Sequence, residues 1–105
     1  MAEIVWTEPA LEDLDEIAEY IALNKLNAAQ GLVRAAFKRI DILGQSPSSG
    51  RKVPGLSPSK YKEAIVCPCR VFYRYTKGSV YILHVMRVER ELRKYLLQDR
   101  DLKGR

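Results

Sequence analysis

The sequence predicts an α+β fold: an N-terminal strand, an antiparallel helical hairpin packed on an antiparallel β-sheet, and a short C-terminal helix. Three observations lead there. Apolar residues recur at helical spacing through the first half of the chain and at strand spacing through the second. A Ser/Pro/Gly-rich stretch separates the two regions. The length of 105 residues is that of one small domain, taken as 1–105, with helices and strands segregated along the chain. A content of 47% hydrophobic and 30% charged residues is that of a globular chain, which excludes disorder and fibres.

Residues 2–6 read as a short strand ended by Thr7. Thr7 is placed to cap a helix whose first turn carries Glu8 and Pro9. Leu11, Leu14, Ile17, Ala18 and Ile21 then fall on one face, with Glu12, Asp13, Asp15, Glu16 and Glu19 around the remainder. Asn24 and Asn27 punctuate a break, and Asn27 is the expected cap of a second helix. Its stripe is Leu32, Val33, Ala36, Phe37, Ile40 and Leu43, ending near Gly44. Two amphipathic helices joined this tightly make an antiparallel hairpin.

From Gln45 to Lys60 the chain is a loop, marked by Pro47, Gly50, Pro54, Gly55 and Pro58. Strands are predicted at Tyr61–Val66, Cys69–Tyr75 and Val80–Arg87, the last two joined by a turn at Thr76–Ser79 that uses Gly78. In the middle strand Val71, Tyr73 and Tyr75 alternate with Arg70, Phe72 and Arg74. One face therefore buries aromatics while the other, expected to be open, shows guanidinium groups. The tail from Val88 to Leu102 reads as a short helix with Val88, Leu92, Tyr95 and Leu96 at helical spacing.

Charge is divided unevenly. The chain has 18 Lys plus Arg against 13 Asp plus Glu, a formal +5. Residues 1–50 hold four basic and eight acidic residues, net −4, and residues 51–105 hold fourteen and five, net +9. Such asymmetry suits a basic face that meets a polyanion or an acidic protein. Cys67 and Cys69, two residues apart, are poorly spaced for a disulfide, and no other cysteine exists to build a zinc site. The N-terminus lacks the basic and apolar regions of a signal peptide, and no apolar run reaches membrane-spanning length. A cytoplasmic protein without membrane attachment, metal or cofactor is expected.

Several stretches resemble the RelE/ParE toxin superfamily. They are the strand ending in Trp6 followed by Glu8-Pro9-Ala10, the pattern Asp13-Leu14-x-x-Ile17-Ala18-x-Tyr20-Ile21, and Pro47-x-x-Gly50-Arg51 in the loop. The closing hairpin, Cys69-Arg70-Val71-Phe72-Tyr73-Arg74-Tyr75 then Val80-Tyr81-Ile82-Leu83-x-Val85-Met86-Arg87, is similar to the superfamily's last strand pair. The resemblance implies the toxin of a type II toxin–antitoxin module, a growth inhibitor that stabilises a plasmid carrying the pair. A cognate acidic antitoxin neutralises it, giving a hetero-oligomer. In this superfamily, RelE-like members cleave messenger RNA on the ribosome and ParE-like members poison DNA gyrase.

The residues favour the ParE-like branch. Metal-free RNA cleavage needs a base, an acid and charge stabilisation at the phosphate. Arginines supply the last of these, and the resemblance would assign a nuclease site to Arg70, Arg87, Arg90 and Tyr95, with Lys60 and Lys62 nearby. His84, the only histidine, sits in an apolar strand and reads as structural. Glu63 reads as half of a cross-strand ion pair with Arg74. Trp6-x-x-Pro9-Ala10 and Met86-Arg87-x-Glu89-Arg90 look ParE-like, although Val85-Met86-Arg87 departs from a histidine often found there. Gyrase inhibition is therefore the expected function. A ribosome-dependent nuclease is the alternative, and a module that only binds its acidic partner is a third reading.

Arg70, Arg74, Arg87, Arg90, Arg93 and Lys94 are the candidate contacts to the antitoxin or target. The antitoxin would add to the sheet edge or lie across the helical hairpin. No recognition helix or stacking motif suggests specific DNA binding by this chain. Trp6 is expected to pack the hairpin against the sheet.

Overall fold

The computed structural model describes residues 1–56 and 59–103, with the side chains of Leu102 and Lys103 left out; Pro58 of the predicted loop lies outside the described residues. In chain order the elements are β1 (Glu3–Trp6), α1 (Glu8–Ala22), α2 (Leu26–Ile42), β2 (Arg51–Lys52), β3 (Tyr61–Val66), β4 (Cys69–Thr76), β5 (Ser79–Arg87) and α3 (Tyr95–Lys103). The sheet order is β1-β5-β4-β3-β2. β2 through β5 pair antiparallel, whereas β1 runs parallel to β5, with Glu3 opposite Ser79 and Trp6 opposite Ile82.

The helical hairpin covers one sheet face, as its spacing predicts. Ala10 and Leu14 of α1, and Leu32, Ala36 and Ile40 of α2, close over Val71, Tyr73, Val80, Ile82 and Val85. Trp6 packs against this core from β1, and its ring meets Phe37 at 4.9 Å between centroids, with the planes tilted by 51°.

The second face is not open. α3 lies across it, and Leu97 joins Val53, Tyr61, Phe72, Leu83 and Met86 in a second buried cluster. The alternation on β4 does put Arg70 and Arg74 on the Phe72 side, but both are engaged there by carboxylates. The predicted pair of Glu63 with Arg74 does not form. Glu63 faces Phe72 across the ladder, so Arg70 and Arg74 are its two diagonal neighbours. Glu63, fully buried, takes Arg70 (Nε to Oε2, 2.6 Å) and Arg51 (Nε to Oε1, 3.0 Å). Arg74 instead reaches the buried Asp101 of α3 at 2.5 Å.

Two helix starts also differ from expectation. Thr7 is the N-cap residue of α1, but its hydroxyl makes no capping bond and donates to Ile82 O at 2.6 Å. The second helix starts at Leu26 after Lys25, so Asn27 lies inside it and does not cap it. The C-terminal helix begins only at Tyr95, and among its described side chains the buried apolar one is Leu97; Val88 and Tyr95, expected on its apolar stripe, are exposed. The predicted loop contributes β2 and is anchored by Tyr73, whose hydroxyl donates to Pro47 O (2.8 Å) and accepts from Gly50 N (2.9 Å).

Candidate functional site

β1 stops at Trp6, opposite Ile82, yet β5 continues for five more residues. Its polar edge would be unsatisfied there, an expensive outcome beside a packed helix. Side chains take over the ladder. The Asp13 carboxylate of α1 accepts the Val85 amide at 3.0 Å, and Arg100 Nη1 of α3 donates to Leu83 O at 3.2 Å. Arg100 also donates to both Asp13 oxygens, Nη2 meeting Oδ1 at 3.3 Å.

His84 completes this knot. Its Nδ1 lies 3.0 Å from Asp13 Oδ2 and 2.8 Å from Arg100 Nη1, so it donates to one or accepts from the other according to tautomer. Its ring stacks on Phe72 at 5.7 Å, and its side chain is 12% exposed. Burial opposes ionisation of Asp13, but bonds from His84, Arg100 and the Val85 amide outweigh it and hold the carboxyl below its ordinary range. The expectation that His84 is structural fits these bonds, which tie α1, β5 and α3 together. Arg100 was not among the residues singled out from sequence.

A groove of about 1070 Å³ runs along the end of β5, and Asp13 and His84 of the knot line it. α1 forms one wall with Glu16, Ile17 and Tyr20, and the segment leading into α3 forms the other with Leu92, Arg93 and Leu96. Arg87 and Arg90 line it too. Arg87 is bound to Glu89 at 2.5 Å, and this bond holds Glu89 below the usual carboxylate range. Among the described residues, Arg90 and Arg93 make no ion pair within 4 Å and are exposed.

The sequence candidates thus divide between two places. Arg87, Arg90 and Arg93 share the groove. Arg70 and Arg74 are held by Glu63 and Asp101 on the face that α3 covers. Lys94 donates to Gly55 O at 2.7 Å, and Tyr95 is exposed and does not line the groove. The proposed nuclease set of Arg70, Arg87, Arg90 and Tyr95 is therefore not gathered on one pocket. Lys60 lies 3.9 Å from Asp101 and 5.6 Å from the centroid of the Tyr61 ring.

Known proteins are similar to this chain in sequence and in fold. Residues 4–95 match the family described as ParE toxin of type II toxin-antitoxin system, parDE. Toxin RelE2 of Caulobacter vibrioides is 31% identical over 93 residues, spanning 89% of this chain and 99% of that protein. A solved structure from the chromosomal ParDE TA system of P. aeruginosa has the same fold, with a TM-score of 0.72 and 24% identity, over 85% of this chain and 98% of that one. The family match spans most of the chain and includes α1, the closing hairpin and the arginines of the groove. The chain belongs to the ParE toxin family of type II toxin–antitoxin systems.

Proposed function

We propose that this ParE-type toxin inhibits DNA gyrase in the cytoplasm, and that a cognate acidic antitoxin silences it. One observation carries the choice of target: the only histidine is used up as a structural tie. His84 is packed on Phe72 and bonded within the Asp13–Arg100 knot. His84 lines the groove, but to carry a proton for cleaving RNA it would have to give up those partners. The candidate arginines also split between two regions instead of converging on one phosphate.

The groove at the end of β5 suits an amphipathic segment of the antitoxin whose carboxylates meet Arg90 and Arg93 and stay clear of Glu16 and Glu91, which also line it. Ile17, Leu92 and Leu96 supply apolar area, and Arg90 and Arg93 supply charges not engaged in ion pairs. Bound there, the antitoxin would cover the residues that face a target.

The test is to incubate the purified protein with gyrase, ATP and supercoiled plasmid. Loss of supercoiling or a trapped cleavage complex is expected. No effect on gyrase, together with codon-linked cuts in ribosome-bound message, would overturn the reading in favour of the RelE-like nuclease.

A further inference from the structure

The outer face of the helical hairpin, away from the sheet, is apolar and unpartnered. Leu11 of α1 and Val33 and Phe37 of α2, with the buried core residue Leu14 as its floor, line a cavity of about 410 Å³. Ala18 and Ala22 with Leu26, Ala29 and the same Val33 line a second of about 500 Å³. Val33 joins them into one furrow along both helices. Leu11 (40%), Phe37 (38%) and Leu26 (60%) remain open to solvent in it. Single exposed apolar residues are ordinary, but a continuous furrow marks a contact surface.

The rims of the furrow are oppositely charged. On the α1 side stand Glu8, Glu12, Asp15 and Glu19. On the α2 side stand Arg34 and, one turn later, Lys38. Among the described residues none of these six makes an ion pair within 4 Å. A furrow with one acidic and one basic rim is complementary to itself.

We infer that two copies of this chain associate through the hairpin face, with the two-fold axis parallel to the helices. That axis sets α1 of one copy against α2 of the other, so each acidic rim meets a basic rim at both edges. An axis across the helices would set α1 against α1, carboxylate against carboxylate, and is disfavoured. Such an axis keeps each residue at its own height along the helices, so Leu11 of one copy lies level with Phe37 of the other and the two apolar side chains meet. Helices of 15 and 17 residues give a patch about 25 Å long and about 18 Å wide, which buries roughly 900 Å² over both copies. Such an area is small for a specific interface, so association in the micromolar range is expected.

Sedimentation velocity of the full chain from about 1 to about 300 μM should show a concentration-dependent dimer weakened by salt. The variant Arg34→Glu/Lys38→Glu should lose association at least about tenfold, as should Glu12→Lys/Glu19→Lys. Combining these four reversals with Glu8→Lys and Asp15→Lys in one chain should restore it, because the rims are then exchanged. Circular dichroism would confirm that each variant is folded. A chain that remains monomeric throughout, or a dimer indifferent to all the reversals, would overturn the proposal. A monomer whose furrow gains hydrogen-exchange protection only with the antitoxin would assign the furrow to that partner instead.

Discussion

Arg100, near the end of the chain, is bonded to Asp13 in the first helix, and the two meet at the open edge of β5. Neither residue is in the sheet, yet between them they satisfy an amide and a carbonyl that a neighbouring strand would otherwise take. The contact also fixes α3 relative to α1, and so sets the walls of the groove that holds Arg87, Arg90 and Arg93.

Removing either partner should therefore cost more than a surface ion pair. Asp13→Ala leaves the Val85 amide and the Arg100 guanidinium without their acceptor, and a loss of about 2–4 kcal/mol is expected. Arg100→Ala should cost about 1–3 kcal/mol, and the double variant should fall short of the sum by about 1–2 kcal/mol. Urea denaturation of the four proteins measures the cycle.

The acid limb of stability should depend on the same carboxylate. The folded state holds Asp13 below its ordinary pKa, so its contribution is present above the unfolded value near 3.8 and is lost as pH falls through the lower folded value. Thermal denaturation scanned downward from pH 6 should show a decline concentrated below about pH 4, and Asp13→Asn should flatten it while lowering the plateau.

Gly50 has no room for a side chain. A Cβ there would sit 2.3 Å from the Tyr73 hydroxyl and 2.8 Å from Glu63 O, a backbone atom that cannot step aside. Gly50→Ala should therefore destabilise by about 2–4 kcal/mol, more than the roughly 1–2 kcal/mol expected for Tyr73→Phe, which only loses two hydrogen bonds. Removing the hydroxyl in Gly50→Ala/Tyr73→Phe should not rescue the fold, since the clash with Glu63 O persists.

Charge in the groove should govern antitoxin affinity without touching stability. Arg90→Glu/Arg93→Glu removes two exposed charges that make no internal ion pair, so unfolding should shift by less than about 0.5 kcal/mol. Binding of the cognate antitoxin, followed by calorimetry, should weaken at least about tenfold. Arg70→Ala should behave in the opposite way, harming stability first because it strips a partner from the buried Glu63.

The elements with strong periodicity were legible in the sequence: α1, α2 and the three long strands fall close to where their apolar spacing puts them. What escaped were contacts decided far along the chain. Arg70 and Arg74 are equally placed as diagonal neighbours of Glu63, and the choice falls to Asp101, which comes from a helix 27 residues after Arg74. The burying residue of α3 is Leu97, whereas the stripe read from the tail was built on Val88, Leu92, Tyr95 and Leu96. A sharper signal was present: Leu97 is followed at three and four residues by Arg100 and Asp101, opposite charges set beside an apolar anchor. Arg87, Arg90 and Arg93 were readable as a group because the strand end and its exit segment keep them together.

The parallel pairing of β1 with β5 joins the first strand to the last. On the ribosome, Glu3–Trp6 emerges long before Ser79–Ile82 has been made. The nascent helical hairpin must wait with its apolar face uncovered, because the sheet it shields is synthesised afterwards. Maturation of this polypeptide is thereby coupled to translation reaching its final third, and a truncated product ending before residue 79 would lack the strand on which its own beginning docks.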